Sequence, residues 1–346
     1  MGRSVKPGAG NTAMGSLFDL PSVGETQLPV HPSVKRAAER YLSRREMKED
    51  DAAVTFEPLK PSPRQRHLRF ISFGSGSSGN CAYVGDEHSG FLIDAGVDVR
   101  LVEETLLRNG VDMDSVKGIC LTHDHSDHIR YVYALCRRFR HLVIYCTPKT
   151  LNGILRRHSI SRRIKDYHHP IYKEFPFRID NFELTAFDVS HDGTDNAGFY
   201  VTNGDTLRFA VATDLGCITE RVDHYMRQAR FVMIESNYDA GMLERGRYPE
   251  YLKARIRAGR GHLDNVEAGR FLADMFTPEL THVFLCHLSL DNNTPELALH
   301  AVEGALLASG KVGSTGDASG TPESLSADVQ LVALPRYVAS PMYYLF

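Results

Sequence analysis

The stretch Thr122-His-Asp-His-Ser-Asp-His-Ile129 constrains this chain more than any other. Four side chains able to ligate a metal, His123, His125, Asp127 and His128, fall within six positions. An apolar run, Val116 to Leu121, precedes them, and an amphipathic stretch, Ile129 to Phe139, follows. A tight loop at a strand end can aim such closely spaced side chains into one cavity, whereas a helix would scatter them around its surface. The fold must therefore offer a strand that ends near residue 122 and open space beyond it. A solvated polar turn is the competing reading, and four ligand-type residues directly after a buried strand weigh against it. Three further candidates also follow short apolar runs: His191 after Phe187-Asp-Val-Ser190, Asp214 after Phe209 to Thr213, and His287 after Val283 to Cys286. A lone histidine in such a place is more often a satisfied polar group than a ligand. Three together support one another, because side chains leaving separate strand ends converge on one sheet edge.

The 346 residues exceed one ordinary core, and the texture of the chain divides them. Seven of the 16 prolines lie in the first 66 residues among Gly, Ser and charged side chains, which reads as a flexible extension, 1–66, unable to bury enough apolar surface to order itself fully. Within it Ser33 can cap a short helix over 34–48. A single catalytic domain is expected over 67–346. Its short β-branched runs, Leu68 to Phe73, Cys81 to Val84, Gly90 to Ile93, Val116 to Leu121 and Leu142 to Cys146, have strand length and are punctuated by Gly, Asn and Asp. Further strands are expected at Phe182 to Phe187, Gly198 to Thr202, Leu207 to Ala212, Phe231 to Ile234 and His282 to Cys286. Helical periodicity marks Arg100 to Asn109, Ile129 to Phe139, Pro249 to Ala258, Asn265 to Asp274 and Pro295 to Leu307. After a Gly/Ser-rich loop, Gly310 to Gly320, a late strand is expected over Asp328 to Val338. Strands and helices in this mixed order specify an α/β sandwich.

With 42% hydrophobic and 24% charged residues the chain reads as an ordinary soluble globular protein. No run of about 18 apolar residues occurs, and Met1 to Val30 holds no stretch of signal-peptide length, so a cytoplasmic location is expected. The six cysteines form no CxxC pair and mostly sit in apolar runs, which points to buried free thiols in a reducing compartment.

The HxHxDH pattern at 123–128, with Asp94 in Phe91-Leu-Ile-Asp-Ala-Gly96 ahead of it and His191, Asp214 and His287 after it, resembles the metallo-β-lactamase-fold hydrolases from about Leu68 to the C-terminus. Within them it most resembles the cytoplasmic YycJ/WalJ-type exonuclease subfamily. The subfamily's signatures match Phe73-Gly-Ser-Gly-Ser-Ser-Gly-Asn80, Glu235-Ser-Asn-Tyr-Asp239 and His287-Leu-Ser-Leu-Asp-Asn-Asn293. The resemblance implies a four-layer αββα sandwich and DNA exonuclease activity. It also implies two divalent metal ions, the first held by His123, His125 and His191, the second by Asp127, His128 and His287, with Asp214 bridging. Such a site lowers the pKa of a shared water and provides a hydroxide nucleophile without an activated serine or cysteine. Asp94 would orient a ligand histidine through its free ring nitrogen, and Asp127 could double as proton acceptor. In the resembling nucleases a histidine supported by an acidic residue faces the leaving group, which makes His262 a general acid and Glu235 its orienting partner. The subfamily usually carries serine where this chain has Asp264, a residue suited to cap a helix beginning at Asn265. The competing reading of His262 is a group that only satisfies backbone at that helix start. Zn²⁺, Mn²⁺ and Fe²⁺ all suit a His/Asp site.

Gly74 to Asn80 lacks the Gly-Lys-Ser/Thr ending of a nucleotide-binding loop, so an ATPase is excluded. It reads either as a plain tight turn or as a turn that brings backbone N–H groups and Asn80 to a phosphate or to the metal cavity. The net charge of −3 hides a segment, His128 to Arg178, that carries +10, leaving −13 for the other 295 residues. Arg156, Arg157, Arg162 and Arg163 belong to that segment, and Arg255 to a smaller basic group over Gly246 to Gly261. Basic clusters flanking a metal cavity suit a phosphodiester, since each neutralised phosphate releases counterions. Nucleic acid is therefore the expected partner, DNA being what the resemblance implies, and no membrane partner is expected. A thioester or lactone hydrolase of the same fold would explain the metals but neither the basic segment nor His262. A non-catalytic metal-bound nucleic-acid-binding protein is the third reading, and the apparent completeness of the ligand set weighs against it.

Overall fold

The computed structural model describes residues 66–311, 323–325 and 329–346. The expected extension over 1–66, apart from its last residue, lies outside them, as does the helix expected over 34–48. Fifteen strands among the described residues form two sheets. The first contains β1 (Leu68–Gly74), β2 (Cys81–Gly85), β3 (Gly90–Ile93), β4 (Val116–Cys120), β5 (Val143–Cys146) and β6 (His168–Pro170). The second contains β7 (Phe177–Ile179), β8 (Phe182–Asp188), β9 (Ala197–Asn203), β10 (Leu207–Ala212), β11 (Phe231–Glu235), β12 (His282–Cys286), β13 (Glu323–Leu325) and β14 (Gln330–Ala333). The last strand, β15 (Tyr343–Leu345), returns to the first sheet, whose order is β15-β1-β2-β3-β4-β5-β6; the second runs β13-β14-β12-β11-β10-β9-β8-β7.

Nearly unbroken apolar runs form these strands because both faces of each sheet are covered. Along β11, Phe231 and Met233 face the other sheet while Val232 and Ile234 face helices. On β1, Leu68 and Phe70 point between the sheets, and Ile71 and Phe73 point outward. Helices α1 (Val99–Arg108), α3 (Val132–Arg138) and α4 (Pro148–Arg157) cover the outer face of the first sheet, with the single turn α2 (Ser126–Ile129) ahead of α3. On the second sheet lie α5 (Glu220–Met226), α8 (Asn265–Met275) and α9 (Pro295–Ala308), and α6 (Ala240–Arg245) and α7 (Glu250–Arg257) form a small apolar cluster of their own around Tyr238. The architecture is the four-layer αββα sandwich. Each large apolar side chain taken fully into these layers contributes about 1.5–3 kcal/mol.

Two expected elements differ. The helix expected over Ile129 to Phe139 is interrupted, because Tyr131 N–H donates to Ala95 O (2.8 Å) and the chain turns there to start α3 at Val132. The late strand ends at Ala333; Pro335 beyond it has no N–H for a ladder. No helix among the described residues is long and apolar enough to cross a membrane.

Strand direction positions the site. β3, β4, β5 and β6 run parallel, as do β10, β11, β12 and β14. β8 is antiparallel to β9, which is antiparallel to β10, so β8 runs with β10. Asp94, the 123–128 loop, His191, Asp214 and His287 each follow the carboxyl end of one of these co-directional strands, where α/β folds carry their ligands.

Candidate metal centre

The loops meet through short backbone ties. Asn80 N–H donates to Asp127 O (2.8 Å), Ala95 N–H to His128 O (2.7 Å), and Ala197 N–H from the second sheet to Thr122 O (2.9 Å). A Cβ at Gly96 would stand 1.6 Å from Asp127 O, so only glycine lets the loop after β3 lie against the histidine loop. Asp94 and His287 both have left-handed backbones, φ 61° and 54°. That conformation costs a non-glycine residue of order 1–3 kcal/mol and clusters at functional sites; here His287 enters the cavity and Asp94 meets the outer nitrogen of His128.

Inside the cavity the side chains sort into overlapping donor groups. His123, His125 and His191 each bring one ring nitrogen within 4.8 Å of the others, and so do Asp127, His128 and His287 with their own donor atoms; His123 and His128 share Asp214 in the same way. The outer ring nitrogens are held. His128 Nδ1 donates to Asp94 Oδ2 (2.7 Å), and Asp94 Oδ1 also accepts Thr122 N–H (2.8 Å). His191 Nδ1 donates to Gly261 O (2.9 Å). His287 Nδ1 and His262 Nδ1 both donate to Glu235 Oε1, at 2.8 and 2.7 Å, while Oε2 accepts Leu215 N–H (2.7 Å). The inner nitrogens His123 Nε2 and His287 Nε2 are buried and have no hydrogen-bond partner among the described residues. Buried imidazole nitrogens left unpaired are expensive, and a cation is the group that imidazole and carboxylate donors facing one another would satisfy. The residues therefore fit divalent metal.

Electrostatics agree with that donor chemistry. Burial holds His123 well below the usual histidine value, a neutral imidazole with a lone pair to give. At His128 and His287 burial opposes the charged form, but Asp214 and its neighbouring carboxylates outweigh it and raise both, His287 to about 10. Burial opposes ionisation of Asp214 too, yet the His287 and His128 charges hold its carboxyl well below the normal range. A cation entering this cluster displaces protons. At His262 burial is likewise outweighed by the Glu235 carboxylate, which raises the imidazole's pKa.

The site residues named from the sequence fall into two regions. Asn80 Nδ2 lies 3.2 Å from Asp127 Oδ2 and 2.9 Å from His128 Nε2. His262 packs between the rings of His191 and His287, with centroids 5.1 and 5.2 Å away, and Asp264 caps α8 by accepting from the N–H groups of Val266 and Glu267. Arg255 forks onto Asp192 Oδ2 (2.9 and 2.6 Å), and Asp192 Oδ1 is 3.2 Å from His125 Nε2. Arg157, on the exposed end of α4 beside Arg156, comes within 3.7 Å of Asp124 Oδ2. Arg163 is elsewhere: with Arg140, His141 and Tyr167 it lines a cavity of about 400 Å³ where the chain enters β5 and β6. Those are the starting ends of the parallel strands, opposite to the metal-competent loops, so the basic segment does not form one continuous rim.

Sequence reasoning missed Asp192, Asp124 and Arg336. Asp124 is fully buried, accepts Thr194 N–H (2.8 Å) on Oδ1, and so ties the histidine loop to the loop after His191. Its position inside the HxH motif was a signal; Arg336, 48 and 259 residues from its hydrogen-bond partners, had none.

With the geometry in view, a family model described as "Beta-lactamase superfamily domain" matches residues 90–287, more than half of the chain. The chain belongs to the beta-lactamase superfamily. Its similarity to exodeoxyribonuclease YycJ of Bacillus anthracis is 34% identity over 272 residues, 77% of this chain and 99% of that protein. With exodeoxyribonuclease WalJ of Streptococcus pneumoniae serotype 2 it shares 28% identity over 231 residues, 67% of this chain and 85% of that one. The crystal structure of the metallo-β-lactamase-fold protein YhfI from Bacillus subtilis superposes with a TM-score of 0.55 at 14% identity, over 80% of this chain and 99% of that one. This member of the superfamily is a metal-dependent hydrolase, and its His/Asp cluster binds divalent metal.

Proposed function

We propose that this hydrolase is a two-metal phosphodiesterase that removes nucleotides from an end of DNA. The observation that carries the reading is the pair of three-residue donor groups, each within 4.8 Å, with Asp214 adjoining both. In this reading His123, His125 and His191 would hold one cation, Asp127, His128 and His287 would hold the other, and Asp214 would serve both; Zn²⁺, Mn²⁺ or Fe²⁺ can fill such a set. Two cations there would supply a water of near-neutral pKa and stabilise charge on the attacking and leaving oxygens. The protein's own groups do the rest. Asp94 fixes His128 through Nδ1 so that Nε2 faces inward. Asp127, partly exposed at the cavity mouth, accepts the nucleophile's proton. His262, braced by Glu235, donates a proton to the leaving oxygen. Asn80, Arg156, Arg157 and Arg255 contact the substrate strand around the cavity, and six free thiols, five of them buried, suit work in a reducing cytoplasm. DNA is favoured over small esters because the relative aligned over 99% of its length is named an exodeoxyribonuclease.

The test is incubation of the full chain, with Mn²⁺ or Zn²⁺, with end-labelled linear DNA, closed circular DNA, matched RNA and a panel of thioesters and lactones. Linear DNA should lose its labelled end while circles survive. Asp127→Ala and His123→Ala should lower the rate by about 10³-fold or more, the several kcal/mol that metal-ion stabilisation contributes. Cutting of circles at the linear rate overturns end-trimming, and turnover confined to thioesters or lactones overturns the phosphodiesterase reading.

A further inference from the structure

Arg336 lies in the segment between β14 and β15, far in sequence from every residue assigned above, yet it reaches the edge of the metal cavity. Its Nη1 donates to Ser77 Oγ (3.2 Å) and its Nη2 donates to Leu288 O. Both partners adjoin the site. Ser77 belongs to the loop from Gly74 to Asn80, whose Asn80 side chain touches Asp127 and His128 and whose Ser75 Oγ accepts His287 N–H (2.8 Å). Leu288 follows His287 directly. The guanidinium lies flat on Gly76, where a Cβ would stand 2.8 Å from its central carbon and where φ is +145°, so the glycine serves both the turn and the arginine.

This cation is partly buried, and burial draws its pKa below the usual arginine value. Asp127 and Asp291 are near enough to act on it, but no carboxylate oxygen among the described residues lies within the 4.0 Å of an ion pair. Among the described residues two of the guanidinium's five N–H donors are engaged, and its central carbon lies 5.7 Å from the centre of the Tyr337 ring. Arg130 Nη1 donates to Ser78 O of the same loop (3.1 Å), and it too has no carboxylate within 4.0 Å among the described residues. Arg255 and Arg138 pair with carboxylates, Asp192 and Glu103, and are satisfied by them; fully exposed arginines can leave their charge to water, which a partly buried one does less well. A desolvated cation without a counter-ion is costly unless an anion completes it. Phosphate suits the planar fork.

We propose that Arg336, held by Ser77 of the Gly74–Asn80 loop, forms a binding subsite for a phosphate of the substrate strand adjacent to the one being cut. The inference rests on the phosphodiesterase reading and adds to it a residue that holds the strand without touching the metals. Leu288 O and Ser77 fix the guanidinium before substrate arrives, so little side-chain freedom is lost on binding.

The experiment compares wild type, Arg336→Ala and Arg336→Lys on a short end-labelled DNA strand with Mn²⁺, and on the same strand with a neutral methylphosphonate replacing, in turn, each of the three phosphates next to the terminal linkage. Arg336→Ala should raise KM by about ten- to a hundredfold, lower the salt dependence of binding by about one counter-ion, and leave bound metal and melting temperature as in wild type. Arg336→Lys should recover part of the affinity. At one of the three positions methylphosphonate should weaken wild type by a similar factor and leave Arg336→Ala indifferent. Equal KM for wild type and Arg336→Ala overturns the subsite, as does loss of metal or of thermal stability in Arg336→Ala. Should that variant not fold, wild type alone decides, since insensitivity to all three methylphosphonates overturns it equally. A wild type that cuts no nucleic acid at all instead refutes the phosphodiesterase reading, a separate result.

Discussion

Glu235 shows how much one side chain settles in this site. A single carboxylate oxygen accepts from both His262 and His287, so one residue braces a candidate proton donor and a candidate metal ligand together. Glu235→Gln keeps the shape and removes the charge. It should lower kcat and weaken metal affinity, each by about 10–100-fold, as loss of a ligand's hydrogen-bonding partner commonly does; His262→Ala should lower kcat by about 10²–10⁴-fold with metal content unchanged. Metal analysis alongside steady-state kinetics separates the two. A different histidine sets a pH limit on folding. His282, partly buried at the start of β12, has its pKa drawn down by burial from 6.5 to about 4. Between those values the unfolded chain holds a proton that the folded chain refuses, so stability is full above about pH 6.5 and falls as pH drops towards 4. The loss approaches about 3 kcal/mol, and urea titrations at pH 7 and pH 4.5 should show a smaller fall for His282→Gln than for wild type.

Among the elements, the turns after β11 and β12 are joined to the start of α8 by a buried amide network. Asn265 Nδ2 donates to Asn293 Oδ1 (2.8 Å), Asn293 Nδ2 donates to Ser236 O (2.9 Å) and Asn237 O (3.0 Å), and Ser236 Oγ donates to Asn265 Oδ1 (2.6 Å). Removing one member strands the others in a dry environment. Asn293→Ala should cost roughly 2–4 kcal/mol in denaturant unfolding, two or more buried groups at about 1–3 kcal/mol each, and should loosen the turn carrying His287. Strands and most helices were readable because burial on both faces makes them continuously apolar or 3.6-periodic. The short edge strands β6, β7 and β15 were not, since with three residues apiece they carry no period of their own and exist through pairing. The break between α2 and α3 was equally invisible: the amphipathic pattern runs through it, and only the bond from Tyr131 to Ala95 interrupts the helix.

For the whole molecule, the cavity joins loops from both sheets around unpaired histidine nitrogens and paired carboxylates, so metal and fold are linked. Binding to the folded chain alone at a hundred times the dissociation constant adds about 2.7 kcal/mol per ion. Chelation should therefore lower the melting temperature by about 5–10 °C for each ion lost, and calorimetry with and without EDTA, followed by readdition of Mn²⁺ or Zn²⁺, should show the shift reverse.

By itself the sequence determined the layers and the ligand types. Both depend on local order: apolar runs of strand length must be covered on each face, and four ligand-type residues within six positions after such a run can face one point only from a turn. The tertiary structure alone decided which histidine nitrogens face inward and which are braced, that Glu235 serves two rings, that Arg163 sits at the far end of the sheet, and that Arg336 reaches the cavity. Those are relations between side chains up to 259 residues apart, fixed by strand direction and loop contact, and no periodicity or motif along the chain encodes them.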